Sequence, residues 1–131
     1  ALACPEATLS IAEPEGWDDM IRSIAAGEIL SVEDQTYPTP CDALQTPRTF
    51  PINFDVLRDR VHSSAVVTPA DISAAMRVAF EKLHLVVEPG GAAALAAVLS
   101  GKIDPVATPV VTLSGGNVDW ESYRQMVGGT A

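Results

Sequence analysis

Short apolar segments that are candidates for β-strands alternate with candidate helices along this chain. The strand candidates are residues 8–12, 65–67 and 110–113, and the last is a continuous run of apolar and β-branched residues. Alternation of strands and helices favours an α/β architecture with a parallel sheet, and an unbroken apolar strand is typical of a sheet buried on both faces. Since only about three strands are visible, we expect a partial parallel sheet flanked by helices.

Helix signals separate the strand candidates. The strongest is Thr68-Pro69-Ala70-Asp71, which supplies an N-cap threonine, a proline at the first helical position and an acid three residues after the cap. Other helices are predicted from Trp17 to a stop at Gly27, after Pro51, over residues 92–99 and over residues 119–126. The helix that begins after Thr68 carries an apolar stripe, and its members are Ile72, Ala75, Met76, Ala79, Phe80 and Leu83.

A proline-rich segment interrupts this alternation between residues 31 and 51. It contains Pro38, Pro40, Pro47 and Pro51 among threonine, aspartate and glutamine residues. Proline removes a backbone donor and disfavours regular structure. We therefore predict a long loop there, and long loops in compact domains are usually functional.

The charge balance excludes several classes of partner. The chain has 17 acidic and 8 basic residues, a formal net charge of −9, which argues against binding to nucleic acid or to an anionic membrane. No apolar run approaches the roughly 20 residues of a membrane-spanning helix. Cys4 and Cys41 lie in no metal-binding or redox spacing, so we expect reduced thiols and a cytoplasmic location. Because the chain begins at Ala1, within an apolar segment, we expect a piece of a longer protein.

Two glycine-containing loops follow apolar segments, Ser114-Gly115-Gly116-Asn117 and Glu88-Pro89-Gly90-Gly91. In open parallel sheets, ligands gather beyond the carboxyl ends of the strands. Glycines let the backbone approach a ligand, and the Ser114 hydroxyl can donate or accept a hydrogen bond. Neither loop requires a ligand, because the first can be a tight turn and Glu88 can be an exposed or helix-capping acid.

Acidic residues concentrate before the first basic residue, Arg22. They are Glu6, Glu13, Glu15, Asp18 and Asp19. A hard divalent cation takes oxygen ligands from such a segment and would relieve the repulsion. Acids in loops and at a helix N-terminus are also common without any ligand.

Several motifs together resemble the C-terminal half of threonine/serine dehydratases and serine racemases. They are LVVEPGGAAALAAVLSGKI, VVTLSGGNVD, IAEPEGWDDM, and CDALQTP followed by FPI, and they cover nearly all of the chain. These relatives are pyridoxal-phosphate enzymes of the tryptophan-synthase-β fold type. The stretch between Thr46 and Phe50 is shorter here than in the relatives.

The resemblance implies roles for particular residues. Ser114 would hydrogen-bond the pyridine nitrogen of pyridoxal 5'-phosphate, with Gly115 and Gly116 shaping that wall and Glu88 lining the pocket. The loop at Asp42 and Ala43 would border the substrate. A Mg²⁺ or Ca²⁺ ion would be held by three further residues, which are Glu13, the backbone carbonyl of Trp17, and Asp19.

The chain contains two lysines, and neither is placed for covalent catalysis. Pyridoxal-phosphate enzymes need a lysine in a desolvated pocket. Lys82 lies on the polar side of a predicted helix and Lys102 follows Gly101, so we expect both to be solvated. In the family, the reactive lysine and a glycine-rich phosphate loop precede the region resembled here. We therefore expect residues 1–131 to be the C-terminal portion of a dehydratase catalytic domain.

Two functions follow from this reading. The first is that the chain forms part of an ammonia-lyase, which dehydrates and deaminates L-threonine or L-serine to a 2-oxo acid and ammonia. Its expected partners are the small amino-acid substrate, the complementary N-terminal half or a second chain, and further copies in a homo-oligomer. The alternative is a non-catalytic domain that binds a small molecule or a partner subunit and retains the fold.

Overall fold

Two parallel strands form the sheet in the computed structural model, which describes residues 3–32, 37–105 and 108–128. Strand β1 (Leu9–Pro14) pairs with strand β2 (Val61–Val67), with Leu9 opposite Val61 and Pro14 opposite Val67. The predicted strands, residues 8–12 and 65–67, overlap β1 and the last three residues of β2. The connection between the strands contains helices, as is usual for parallel pairing. The predicted α/β architecture with a small parallel sheet and flanking helices is confirmed.

Five α-helices accompany the strands in the described residues, each close to a predicted position. Gly27 ends the first of them in the left-handed conformation, with φ of 76°, as expected for a C-terminal glycine. A 3₁₀ turn (Asp42–Leu44) interrupts the proline-rich loop, and another (Gly90–Ala92) precedes the fourth helix. The helices are α1 (Asp19–Ala26), α2 (Pro51–Leu57), α3 (Pro69–Val78), α4 (Ala93–Leu99) and α5 (Trp120–Gly128).

Helix α3 begins at the predicted capping box. The Thr68 hydroxyl accepts from the Asp71 backbone N–H at 3.2 Å, and the Asp71 carboxylate accepts from the Thr68 N–H at 2.8 Å. Ile72 and Met76 of this helix are fully buried. The core lies where α3 meets α4, whose buried alanines permit close approach of the two helices.

The predicted apolar stripe of α3 is wrong at its end. Residues Ala79–Leu83 form a π-helical turn, and Phe80 and Leu83 are each 49% exposed. A π-turn is wider than an α-turn, so the residues after Val78 lie at other angles around the axis than a regular helix would give. The Phe80 ring instead contacts Tyr123 of α5 edge-on, at 6.1 Å between centroids.

The strand predicted at residues 110–113 is also wrong, since the structure assigns no strand there. Val110 is 92% exposed. A strand requires a hydrogen-bonded neighbour, and among the described residues the sheet consists of β1 and β2 alone. The β-branched composition of this segment is therefore not sufficient to make it a strand in this chain.

The proline-rich loop is irregular where it is described, apart from its 3₁₀ turn and one isolated antiparallel bridge between Ser31 and Arg48. Cys41 of this loop is fully buried. Residues 33–36 of the predicted loop lie outside the described residues. Within the described ranges, no helix has the length and apolarity needed to cross a membrane.

Candidate functional site

Three loops that were singled out from the sequence meet in the structure. The Glu88 backbone N–H donates to the Gly115 carbonyl at 3.2 Å, and the Ser114 N–H lies 3.4 Å from the Gly91 carbonyl. A Cβ built on Gly90 would lie 3.4 Å from Leu44 of the Asp42–Leu44 turn. The candidate cofactor loops and the candidate substrate loop therefore form one continuous surface, although their residues are far apart in the chain.

Glu88 is bound to the Ser114–Asn117 turn by its side chain as well as by its backbone. One carboxylate oxygen accepts from the Asn117 N–H at 3.0 Å. Gly115 has φ of 72°, and a Cβ at this position would collide with the Glu88 carboxylate. Glu88 thus fixes the conformation of the turn that follows Leu113, a role that the sequence alone did not indicate.

The glycines allow the two loops to touch. A Cβ on Gly91 would collide with the Ser114 carbonyl, and one on Gly116 would lie 3.2 Å from the Val86 carbonyl. The sequence interpretation assigned glycines at this turn to contact with a ligand. The structure adds that Gly91 and Gly115 are required by contacts within the protein itself.

The turn remains accessible after these contacts are made. Residues Ser114, Gly115, Gly116 and Asn117 are all exposed, while Glu88 is half-buried. The Ser114 hydroxyl can therefore reach a bound molecule. Asp42 and Ala43 are likewise exposed, and the Asp42 carboxylate accepts from the Ala43 N–H at 2.8 Å.

Glu13 and Asp19, the two carboxylates of the candidate cation site, are brought together at the N-terminus of α1. Both oxygens of Glu13 accept from this helix, from the Met20 N–H at 3.2 Å and the Ile21 N–H at 2.8 Å. Burial, opposed by these hydrogen bonds and reinforced by the charge of Asp19, raises the pKa of Glu13 to about 7. Burial likewise raises the pKa of Asp19, which is 1% exposed.

The predicted third ligand, the Trp17 carbonyl, lies beside these carboxylates in the chain. Ile21 lies in the first turn of α1, where backbone N–H groups have no partner within the helix, and its N–H donates to Glu13. Glu15 and Glu6 of the same acidic segment are exposed, and Asp18 forms an ion pair with Arg22 at 2.8 Å. Among residues 3–32, 37–105 and 108–128, no three His, Cys, Asp or Glu side chains cluster as a metal site.

Sequence reasoning missed one residue of the candidate cation site. The Thr46 hydroxyl donates to the buried Asp19 carboxylate at 3.2 Å, and only the CDALQTP motif marks it. Lys102 is exposed, as predicted, and its amine also has partners within the protein. It donates to the Val66 carbonyl at 2.9 Å and to the Asp71 carboxylate at 2.7 Å. Lys82 is exposed, as predicted.

Comparison with known proteins gives consistent matches. A family model described as pyridoxal-phosphate dependent enzyme matches residues 1–115. The chain is 32% identical over 95% of its length to L-threo-3-hydroxyaspartate ammonia-lyase from Pseudomonas sp, and 34% identical over 92% to serine racemase from Arabidopsis thaliana. It spans only 39% and 38% of those two proteins.

Solved structures agree with these matches. A threonine deaminase from T.th. superposes with a TM-score of 0.79 at 37% identity, over 88% of this chain and 42% of the other. Maize serine racemase gives a TM-score of 0.79 at 33% identity, over 95% of this chain and 39% of the other. The tomato (Solanum lycopersicum) threonine deaminase isoform 2, at 20% identity and a TM-score of 0.82, supports the fold.

Proposed function

The chain belongs to the family of pyridoxal-phosphate dependent enzymes, and from this we propose that residues 1–131 are the C-terminal portion of a dehydratase catalytic domain. In the proposal the complete enzyme eliminates water from L-threonine or L-serine, and a water molecule then hydrolyses the resulting enamine to a 2-oxo acid and ammonia. The observation that carries it is the meeting of the Glu88, Ser114 and Asp42 loops at one exposed surface.

The residues of this surface fit the cofactor. Pyridoxal phosphate, when bound, supplies an electron sink for the carbon next to the amino group. The exposed Ser114 hydroxyl would hydrogen-bond its ring nitrogen, and the exposed Gly115 and Gly116 would form part of the same wall. A neutral hydroxyl does not stabilise a proton on that nitrogen as a carboxylate would. The weaker sink that results favours β-elimination over transamination.

The reactive lysine must come from elsewhere in this proposal. Lys102 is bound to Val66 and Asp71, and Lys82 is exposed on the turn after α3. Neither belongs to the loops that form the surface. This chain spans only 39% of the Pseudomonas enzyme. In the proposal, a preceding segment of the complete protein carries the lysine and the phosphate loop.

The names of the relatives favour a β-hydroxy amino acid as the substrate. They include a 3-hydroxyaspartate ammonia-lyase, serine racemases and a threonine deaminase. The Asp42–Leu44 turn, which contacts Gly90, would border this substrate.

A cation would be held by Glu13, Asp19 and the Trp17 carbonyl, at a distance from the reaction and with a structural role. The buried Asp19 carboxylate and the partly buried Glu13 carboxylate beside it support this part of the proposal. Mg²⁺ or Ca²⁺ should raise the melting temperature of the complete enzyme, and Glu13→Gln should abolish that increase. An increase that survives the substitution would place the metal elsewhere.

The main test uses the complete enzyme. It should show the visible absorbance of bound pyridoxal phosphate and release a 2-oxo acid from L-serine or L-threonine. Ser114→Asp should lower kcat by roughly tenfold or more, the effect of losing about 1.4 kcal/mol of transition-state stabilisation, whereas Ser122→Asp on α5 should not. Unchanged kinetics in Ser114→Asp would remove Ser114 from the cofactor wall.

A non-catalytic binding domain is the competing function, and the absence of a lysine from the described loops favours it. This alternative would be supported if the complete protein bound no pyridoxal phosphate and had no lyase activity toward either substrate. Activity of residues 1–131 by themselves would contradict the proposed source of the lysine.

A further inference from the structure

The segment that carries the Asp42–Leu44 turn is held on both sides of the turn by residues at the N-terminal end of α1. Before the turn, the Trp17 indole N–H donates to the Tyr37 carbonyl at 2.9 Å. After the turn, the Thr46 hydroxyl donates to the Asp19 carboxylate at 3.2 Å. The chain between these two bonds therefore leaves α1, reaches the cofactor loops at the turn, and returns to α1.

A second contact fixes Tyr37 at the same place. Gly16, which precedes Trp17, is buried and has φ of 80°. A Cβ built on Gly16 would collide with the Tyr37 side chain. Because Gly16 has no side chain, Tyr37 packs directly on its backbone, beside the half-buried Trp17.

The chain between Tyr37 and the turn is stiff. Its sequence is Tyr37-Pro38-Thr39-Pro40-Cys41, and each proline fixes its own φ and restricts the residue before it. Proline-rich segments of this kind act as semi-rigid spacers of about 3.1 Å per residue. A displacement of Tyr37 is therefore transmitted to Cys41 rather than absorbed between them.

Cys41 connects this stiff segment to the turn. It is fully buried, its N–H donates to the Thr39 hydroxyl at 3.2 Å, and its carbonyl accepts from the Leu44 N–H at 3.0 Å. Leu44 is partly buried against the core and lies next to Gly90. The position of Tyr37 thus influences where the turn meets the cofactor loops.

We propose that Trp17 is a positioning residue for the substrate, and that its indole N–H, through Tyr37, holds the Asp42–Leu44 turn where the substrate binds. The inference rests on the proposed function for the identity of that substrate, a β-hydroxy amino acid. Trp17 acts through the chain that it holds and not by contact with the substrate.

Loss of this hydrogen bond should weaken substrate binding and leave the chemical step unchanged. Without the anchor, the turn is in place for only a fraction of the time, and the apparent dissociation constant rises in inverse proportion to that fraction. Once substrate is bound, the turn is in place and the chemical step proceeds as before. General destabilisation would instead reduce the amount of active enzyme, and therefore kcat, at constant KM.

Trp17→Phe in the complete enzyme tests the proposal, because it removes the indole N–H but keeps an aromatic ring and the backbone carbonyl. KM for L-serine or L-threonine should rise by about fivefold, the effect expected for one hydrogen bond. The values of kcat and of the affinity for pyridoxal phosphate should stay within about twofold of those of the unsubstituted enzyme. Tyr37→Phe is the matched control and should leave KM unchanged, because it keeps the accepting carbonyl and the ring. An unchanged KM in Trp17→Phe would overturn the proposal, and so would a lower kcat at constant KM.

Hydrogen exchange of single amides gives a second measurement, which needs no activity. The Leu44 N–H should exchange about fivefold faster in Trp17→Phe than in the unsubstituted enzyme. The Ile72 N–H, which donates to the Thr68 carbonyl at 3.1 Å at the start of α3, should exchange at the same rate in both. Equal acceleration at the two amides would indicate general destabilisation and overturn the proposal.

The unsubstituted enzyme separates failure of this proposal from failure of the proposed function. If it acts on neither substrate, the proposed function fails, and exchange at Leu44 then decides whether Trp17 holds the turn. Should Trp17→Phe not fold, the indole N–H groups of the unsubstituted enzyme decide. That of Trp17 should exchange about tenfold or more slower than that of Trp120, which is 71% exposed, and equal rates would overturn the proposal.

Discussion

Gly91 has no room for a side chain, because it packs directly against the loop that carries Ser114. Because its Cβ position coincides with the Ser114 carbonyl, Gly91→Ala must displace the turn that carries Ser114. We expect a loss of about 1–3 kcal/mol in the free energy of unfolding, as for other overpacked sites, together with weaker cofactor binding. Urea unfolding and cofactor titration measure both.

Gly128→Ala is the matched control, since nothing lies within 4 Å of a Cβ built at this position. If Gly91→Ala and Gly128→Ala changed stability equally, the results would contradict the inference that close contact between the two loops excludes a side chain at Gly91.

The raised pKa of Glu13 makes the stability of the folded protein depend on pH, and it fixes the sign of that dependence. The folded state binds the Glu13 proton up to a pH of about 7, whereas the unfolded state releases it near the ordinary pKa of 4.5. Between these values the folded state holds more protons, so stability falls as pH rises. Glu13→Gln should flatten this part of the stability curve in metal-free buffer, measured by urea unfolding at several pH values. An unchanged slope would assign the dependence to another group.

At the scale of the element, helix α3 depends on its cap. Thr68 accepts from the Asp71 N–H, and the Asp71 carboxylate accepts from both the Thr68 N–H and its hydroxyl. Thr68→Ala should therefore cost about 1 kcal/mol of stability, whereas Thr68→Ser keeps the hydroxyl and should cost less. Thermal unfolding of the two variants side by side distinguishes them, and equal losses would contradict the role of the hydroxyl.

The secondary-structure elements also show which features local sequence patterns do not predict. The capping box and the Gly27 stop were predicted correctly because each is completed within about four residues of chain. Residues 110–113 carry the composition of a strand, but strand formation depends on a neighbour that is distant in sequence. The widened turn at Ala79–Leu83 had no signal in the spacing of the apolar residues.

At the scale of the whole molecule, two exposed aromatic side chains, Trp120 of α5 and Phe80 of the turn after α3, both contact the buried Tyr123. Trp120 is 71% exposed and stacks on Tyr123 at 6.5 Å between centroids, and Tyr123 contacts the half-exposed Phe80. Exposed aromatic clusters of this kind are typical of interfaces. The expected homo-oligomer stays a prediction, and this surface is a candidate for its interface.

Light scattering of the complete enzyme should give the mass of a dimer or a larger assembly. Trp120→Ser should weaken the assembly, whereas Ile52→Ser, at a residue on α2 that is 75% exposed, should not. A monomer at micromolar concentration would contradict the expectation of an oligomer.

Features that depend on short-range chemistry could be predicted from the order of the amino acids. These are β1, β2, the five helical segments and the family-like loops at Glu88 and Ser114, because periodicity, caps and glycine-containing turns act over a few neighbouring residues. The close approach of Glu13 and Asp19 was expected from the family resemblance, which implies that both are ligands of a cation.

Contacts between groups that are distant in the sequence could be identified only from the tertiary structure. The Glu88 carboxylate lies against Gly115 and Asn117, the Thr46 hydroxyl against Asp19, and Lys102 at the edge of β2. Residues 110–113 have no strand neighbour among the described residues. Each of these outcomes depends on the position of a second segment many residues away, and such positions are set by packing of the whole core rather than by the local chain.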